Sequence, residues 1–302
     1  MRNVSGTISS IFILTRTKED ILYIVDRENH RILESDLKGG MAEIILGRSD
    51  GSSGSDTQSF DHPNDIYVSS STFKRYVVDT FNHRILVFEP NSKEGSIIFG
   101  TGQPVIESIE TTGLNQPMSI TMDNNQTLYI ADYGNNRIVS FNLQNNQVNS
   151  YLNGSIDSNI DRHEYVLTPI SIKYSFKSDS FVIGQEKGFN VIRWKKGEKR
   201  WTLIAGSASS QLNGTSRTLF NEVCSINVDE YDNTYVNDCQ NNRIQFYRGD
   251  LTKGKTIAGV IQAPGNNSYL FNGSTSIALD SNKNLYVADS NNTRIQKFIQ
   301  LF

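Results

Sequence analysis

The 302-residue sequence has no apolar run approaching the roughly 18 residues that a membrane-crossing helix needs, the best being Ile11 to Leu14. No membrane insertion is expected. Met1 to Gly6 lacks the apolar core of a secretory leader. An excess of one charge is also missing, since 29 Lys and Arg face 32 Asp and Glu for a formal −3. That balance removes the global electrostatic reason to expect nucleic acid or anionic lipid as partner. Six prolines and 22 glycines form no Pro-rich or Gly/Ser linker, so one domain over 1–302 is expected. No stretch of 11 or more residues places apolar side chains at helical spacing, which excludes helical solenoids. Disorder is excluded as the general state by 37% hydrophobic and 10% aromatic residues.

What the chain does have is a repeat. One phrase recurs as YIVDRENHRI ending at Ile32, YVVDTFNHRI at Ile85, YIADYGNNRI at Ile138, YVNDCQNNRI at Ile244 and YVADSNNTRI at Ile295. Its aspartates, Asp26, Asp79, Asp132, Asp238 and Asp289, are spaced by 53, 53, 106 and 51 residues. The double interval places a sixth copy at position 185, where Gln185 replaces the aspartate and Asn190 the arginine. Around each copy run short, alternating, β-branched or aromatic segments separated by Asn/Asp/Gly turns. A fourth segment closes each unit at a glycine, at Gly47, Gly100, Gly154, Gly206 and Gly259. Four strands per unit with no helix predict an all-β fold, a six-bladed β-propeller of four-stranded antiparallel blades.

The polar phrase reads as hairpin chemistry. The aspartate ends the second strand, the arginine opens the third, and the asparagine between them suits the left-handed conformation of a tight loop. Aspartate and arginine are expected to face each other at the hairpin mouth and fix its register.

At these residues the chain resembles the NHL-repeat family, over residues 10 to 302. The resemblance implies six blades round a central channel with the first strand of each innermost. Blade 4, residues 171 to 206, departs from the motif, which leaves its outer hairpin in question. The family includes RNA-binding modules, kinase sensor domains, a zinc-dependent amidating lyase and extracellular binding modules, so the fold does not decide function. Val191 to Gly197 followed by Leu203 to Gly206 also resembles repeats of large invertebrate extracellular proteins, which points to an extracellular domain or ectodomain, with the cytoplasm as the alternative. Seven Asn-x-Ser/Thr sequons permit secretion.

The last unit stops after its third segment at Phe302. Asn3-Val4-Ser5-Gly6 mimics a fourth segment, but Gly6 to Ser10 offers four residues where other units use 17 to 19. Four residues reach roughly 13 Å, while three strand gaps of about 4.8 Å must be crossed. Blade 6 is therefore expected to lack its outer strand.

Cys224 and Cys239 flank the first hairpin of blade 5. If residues whose numbers sum to 463 face each other, as Asp229 would face Thr234, these two face each other and form a structural disulfide. His30 and His83 share one repeat slot and are expected as turn residues. His62 leads into the inner strand of blade 2 near the channel mouth. The matching positions are Gln116, Thr168, Glu222 and Gly273 or Ser274, so the lyase's histidine set is absent and no metal or cofactor is expected. Calcium-dependent lactonase-type propellers converge acidic groups on the channel, whereas the ring here reads Ser10, Asp65, Ser119, Ser171, Ser225 and Ser276. Small polar residues in a narrow wet channel could still orient a small polar molecule. A second candidate patch is the basic stretch Arg193, Trp194, Lys195, Lys196, Arg200 and Trp201, which pairs cations with both tryptophans. Loops joining each outer strand to the next inner strand, such as Gly47 to His62, are polar and unlike one another, as binding loops tend to be. The expected function is non-catalytic recognition by a monomer, of a protein or small polar ligand on that loop face. A metal-dependent lyase or hydrolase in the channel and a single-stranded RNA-binding domain are the alternatives.

Overall fold

The structure is a computed structural model and describes residues 8–15, 20–38, 40–106, 113–153, 161–208, 212–249 and 253–299. Blade 1 comprises β1 (Ile8–Leu14), β2 (Ile21–Asp26), β3 (Arg31–Asp36) and β4 (Glu43–Gly47). Blade 2 has β5 (Pro63–Val68), β6 (Arg75–Asp79), β7 (Arg84–Phe88) and β8 (Gly95–Gly100), and blade 3 has β9 (Pro117–Met122), β10 (Thr127–Asp132), β11 (Arg137–Asn142) and β12 (Val148–Tyr151). Blade 4 follows with β13 (Pro169–Ser175), β14 (Ser180–Gln185), β15 (Asn190–Trp194) and β16 (Thr202–Gly206). Blade 5 has β17 (Val223–Val228), β18 (Thr234–Asp238), β19 (Arg243–Tyr247) and β20 (Lys255–Gly259). Blade 6 contributes β21 (Ser274–Leu279), β22 (Leu285–Asp289) and β23 (Arg294–Phe298), three strands among the described residues.

Every blade is an antiparallel meander in chain order. The first strands β1, β5, β9, β13, β17 and β21 touch one another in a closed ring, β21 packing on β1. The expected six blades and innermost first strands are thus what the chain forms, and the last blade has three strands among the described residues. Apolar side chains fill the seams between adjacent blades. Leu14, Val25, Phe60, Ile66 and Phe88, for example, make one cluster between blades 1 and 2.

The repeated hairpin has the expected frame and a different turn. Asp26 pairs with Arg31, Asp79 with Arg84, Asp132 with Arg137, Asp238 with Arg243 and Asp289 with Arg294. The left-handed residue is not the motif asparagine but the one after it: His30, His83, Asn136, Asn242 and Thr293 at φ near 50°. The motif asparagine sits in a 3₁₀ turn and turns its amide onto the aspartate, as Asn82 Nδ2 does at 2.9 Å from Asp79 Oδ2. The arginine's Nε donates to the same carboxylate, at 2.8 Å for Arg84 and 2.7 Å for Arg243. Its remaining donors hold carbonyls of the long incoming loop, Thr215, Ser216 and Leu219 for Arg243. The other aspartate oxygen accepts a backbone N–H from the end of that loop, as Asp79 Oδ1 does from Asp61 at 2.7 Å. One carboxylate therefore fixes hairpin, loop and inner-strand entry together. These carboxylates are buried, and burial pushes Asp79 up to about 6 against its Asn82 and Arg84 donors.

In blade 4 the polar signature is replaced rather than lost. Gln185 Oε1 accepts the Leu167 N–H at 2.6 Å and Gln185 Nε2 donates to Asn190 Oδ1 at 2.7 Å, a neutral copy of the same clamp. The outer hairpin of that blade forms normally.

Fourth-strand glycines also have a mechanical reason. Gly100 sits at φ 92° over the His83 carbonyl, where a Cβ would collide with that oxygen. In blade 3 the strand ends earlier than the glycine at 154 suggested. The left-handed position is Leu152 at φ 50°, and Gly154 lies outside the described residues.

Candidate functional site

The ring of residues at the start of the inner strands meets as expected, and its polar groups are committed to the fold. Three of the serines staple one blade to the next: Ser276 Oγ accepts from Ile11 N at 3.1 Å, Ser119 Oγ from Ile172 N at 3.2 Å and Ser171 Oγ from Ile226 N at 3.3 Å. Asp65 accepts four hydrogen bonds, from Ser10 Oγ (2.9 Å), Ser119 Oγ (2.7 Å), Ile66 N (2.9 Å) and Ile120 N (3.1 Å). Four donors fill the lone-pair sites of a carboxylate, so Asp65 has no free oxygen to offer a cation. Ser225 Oγ has no partner among the described residues, which makes the seam between blades 5 and 6 the break in this ring. The cavity at this mouth is about 20 Å³, room for about one water.

His62 lies beside this mouth against blade 1. Its N–H donates to His30 Nδ1 at 3.0 Å, just as Gln116 N donates to His83 Nδ1 at 3.0 Å and Thr168 N to Asn136 Oδ1 at 2.7 Å. His30 and His83 are turn residues, as expected, and also inter-blade acceptors. His30, Asp61 and His62 bring ligand atoms within 4.8 Å of one another. However, the His30 Nδ1 lone pair already holds a backbone N–H, and His62 Nδ1 lies 2.6 Å from Asp61 Oδ1. A metal here would have to break the blade 1–2 staple.

Burial lowers the pKa of His30 and of His83, and for His30 the nearby His62 adds to the effect. An acceptor Nδ1 must be unprotonated, so the folded state favours neutral rings. That preference is fully present above the unfolded value of 6.5 and is lost as pH falls below it, because the unfolded chain then binds protons that the folded chain resists. Asp79, raised to about 6, works in the opposite direction as pH rises. Comparing wild type with His30→Asn/His83→Asn cancels the aspartate contribution. The double variant, which installs the asparagine that blade 3 uses, is expected to lose less stability than wild type between pH 7.5 and 5.5 in urea titrations.

The basic stretch of blade 4 is not a stacking surface. Trp194 and Trp201 are 1% and 4% exposed and lie in the core between blades 3 and 4. Trp194 Nε1 donates to Glu198 O at 2.9 Å and Trp201 Nε1 to Tyr165 O at 2.7 Å. Arg193 is spent on Ser178, Ser180 and Asp232, the last at 3.0 Å across the seam to blade 5. Lys196 lies 4.0 Å from Asp123 Oδ2, Arg200 pairs with Asp161, and Lys195 is exposed. Trp194 at the end of β15 and Trp201 just before β16 turn into the seam, and the connection between them leaves Lys195, Lys196 and Arg200 exposed.

Cys224 and Cys239 are joined, their Cα atoms 5.9 Å apart. The facing rule behind that pairing was off by one. Val228, not Asp229, faces Thr234, and the register slips again at a bulge between Val223 and Ser225. Cys224 sits in the bulge and Cys239 opens the 3₁₀ turn, which brings them together outside the ladder.

The larger opening lies at the other end of the channel, where the inner strands finish. Two residues beyond each ring position stand Phe12, Tyr67, Thr121, Lys173, Asn227 and Ala278, a second ring that the sequence reading did not single out. It lines a funnel of about 280 Å³ to which all six inner strands contribute. Phe12 and Tyr67 meet edge-on at 5.8 Å. Burial pushes the Tyr67 hydroxyl up to about 12, with Tyr76 and Asp123 adding to it, so it is a phenol at neutral pH. Lys173 lines both cavities, its Nζ 3.8 Å from Asp65 Oδ2.

Comparison with known proteins agrees with this architecture. The NHL repeat family model matches residues 114–141 and 271–298. NHL repeat-containing protein 2 of Bos taurus is 24% identical over 144 residues, 43% of this chain and 20% of that protein, so the match spans about a fifth of the relative. Among solved structures, an auxiliary nutrient binding protein from Bacteroides thetaiotaomicron aligns with TM-score 0.68 at 14% identity, over 97% of this chain and 68% of that one. A gluconolactonase from Xanthomonas campestris aligns with TM-score 0.66 at 10% identity, over 95% and 84%. At such identities the likeness is one of fold. The chain is a six-bladed β-propeller that carries NHL repeats at residues 114–141 and 271–298.

Proposed function

We propose that this propeller is a non-catalytic recognition module that receives a small polar ligand in the axial funnel, at the mouth opposite the long loops. One observation carries this reading. Tyr67, Lys173 and Asn227 all line an open cavity of about 280 Å³, and none of their side chains donates a hydrogen bond among the described residues, although Lys173 is ion-paired with Asp65 at 3.8 Å. Binding sites are built this way, with a few unspent polar groups on an apolar wall. The loop-face ring, by contrast, has spent its polar groups other than the Ser225 hydroxyl on bonds within the protein, and its carboxylate is saturated. That saturation argues against a metal-dependent lyase or hydrolase centred on Asp65. Burial of both tryptophans removes the stacking residues on which an RNA-binding reading would rest. A protein partner on the loop face is the second reading, favoured by the exposed Phe81, Val260, Ile261 and Tyr269. The disulfide supports an extracellular placement.

Fragment screening by NMR tests the proposal. A subset of polar fragments is expected to shift the Tyr67 and Asn227 signals and to lose affinity in Asn227→Ala. A screen in which no fragment moves those signals would remove the funnel as a site.

A further inference from the structure

Resting on that reading, we infer that the funnel takes a small ring-bodied organic acid whose carboxylate lies against Lys173. The chemistry of the lining is one-sided. Among the described residues that line the funnel there is one cation, Lys173, and no acidic side chain. The polar groups of the second ring also point one way. Tyr67 and Lys173 offer donors with no acceptor; Thr121 Oγ1 already accepts the Tyr174 N–H at 3.2 Å and Asn227 Oδ1 the Val228 N–H at 2.7 Å, which leaves the Thr121 O–H and the Asn227 NH₂ to donate. Four donors converging on one space call for an acceptor-rich partner, and a carboxylate accepts about four hydrogen bonds.

Lys173 is not required by the repeat. The same slot in the other blades holds Phe12, Tyr67, Thr121, Asn227 and Ala278. Asp65 gives it an ion-pair partner at 3.8 Å but no hydrogen bond, since that carboxylate is filled by four donors and the distance is outside hydrogen-bond range. Lys173, its side chain 22% exposed, keeps its ammonium protons outside hydrogen-bond range of Asp65, so it can still donate to a ligand carboxylate. The rest of the wall selects the body of that ligand. Phe12 and Tyr67 form an edge-on pair at 5.8 Å, and Phe176, 66% exposed, stands at the mouth against Tyr174 at 4.9 Å. An aromatic wall of this kind favours contact with a flat ring over a flexible chain. A cavity of about 280 Å³ limits it to about one ring with its substituents.

Benzoate and its neutral isostere benzamide are the probes, titrated into the whole chain by calorimetry with Tyr67 followed by NMR. Benzoate is expected to bind at the funnel, and Lys173→Met to weaken it roughly tenfold to a hundredfold. Lys173→Arg, which keeps the charge and guards against a folding defect in the methionine variant, is expected to retain binding. Benzamide should bind more weakly than benzoate and be indifferent to Lys173→Met. If benzamide binds as well as benzoate, or Lys173→Met leaves benzoate unaffected, the acid assignment falls while the funnel stands as a site for neutral ligands. If benzoate fails to bind wild type, the proposal falls, and the fragment screen decides the funnel separately.

Discussion

Replacing Arg243 by alanine will cost about 3–5 kcal/mol of stability, several times what the same change would cost in an exposed ion pair. Arg243 and Asp238 are both fully buried and 2.7 Å apart. Removing the guanidinium strands the Asp238 carboxylate and also takes the donors from Thr215, Ser216 and Leu219, so a hairpin and a loop loosen together. Blade 4 shows what can replace the pair, a Gln185–Asn190 amide contact with the same inner-strand bond. The double change Asp238→Gln with Arg243→Asn should therefore recover part of the loss. Urea unfolding of the three proteins measures both effects. An Arg243→Ala protein within about 1 kcal/mol of wild type would show that the clamp is not energetic.

Trp194→Ala is expected to be similarly costly, about 3–5 kcal/mol, whereas removing the charge of Lys195 or Lys199 should stay within about 0.5 kcal/mol. Trp194 fills the seam between blades 3 and 4 with its ring 4.9 Å from Tyr151 and 5.6 Å from Phe181. Truncation leaves a cavity walled by rings that cannot collapse, and it orphans the Glu198 carbonyl. A binding surface would behave in the opposite way, with tryptophan truncation costing little stability and lysine removal costing affinity. Denaturant midpoints of the two variants separate the cases.

The Trp194 role was legible in the sequence, in the repeat register rather than in composition. Counted four residues from the repeat arginine, the same slot holds Phe88, Phe141, Tyr247 and Phe298. A slot that is aromatic in five of six blades, Ser35 being the exception, is a packing slot, and the local richness in lysine and arginine obscured it. The second channel ring was legible in the same way, two residues beyond the first. The disulfide was read from a facing rule that ignored bulges. A bulge leaves no mark in residue type here, yet it moves every later pair by one position.

Blade number, strand order and the aspartate–arginine facing were readable from the sequence alone, because each is a local pattern repeated at a constant interval. Repeats of about 53 residues bury their sheets by packing each blade against its neighbours. Tertiary structure decided what depends on chain segments far apart. Whether the clamp is buried depends on the loop arriving from the previous blade, and which mouth of the channel is open depends on six side chains spread from Phe12 to Ala278. Serines that bond to the neighbouring strand draw one end together. At the other end the bulk and charge of Phe12, Tyr67 and Lys173 are distributed round the axis, and a funnel remains.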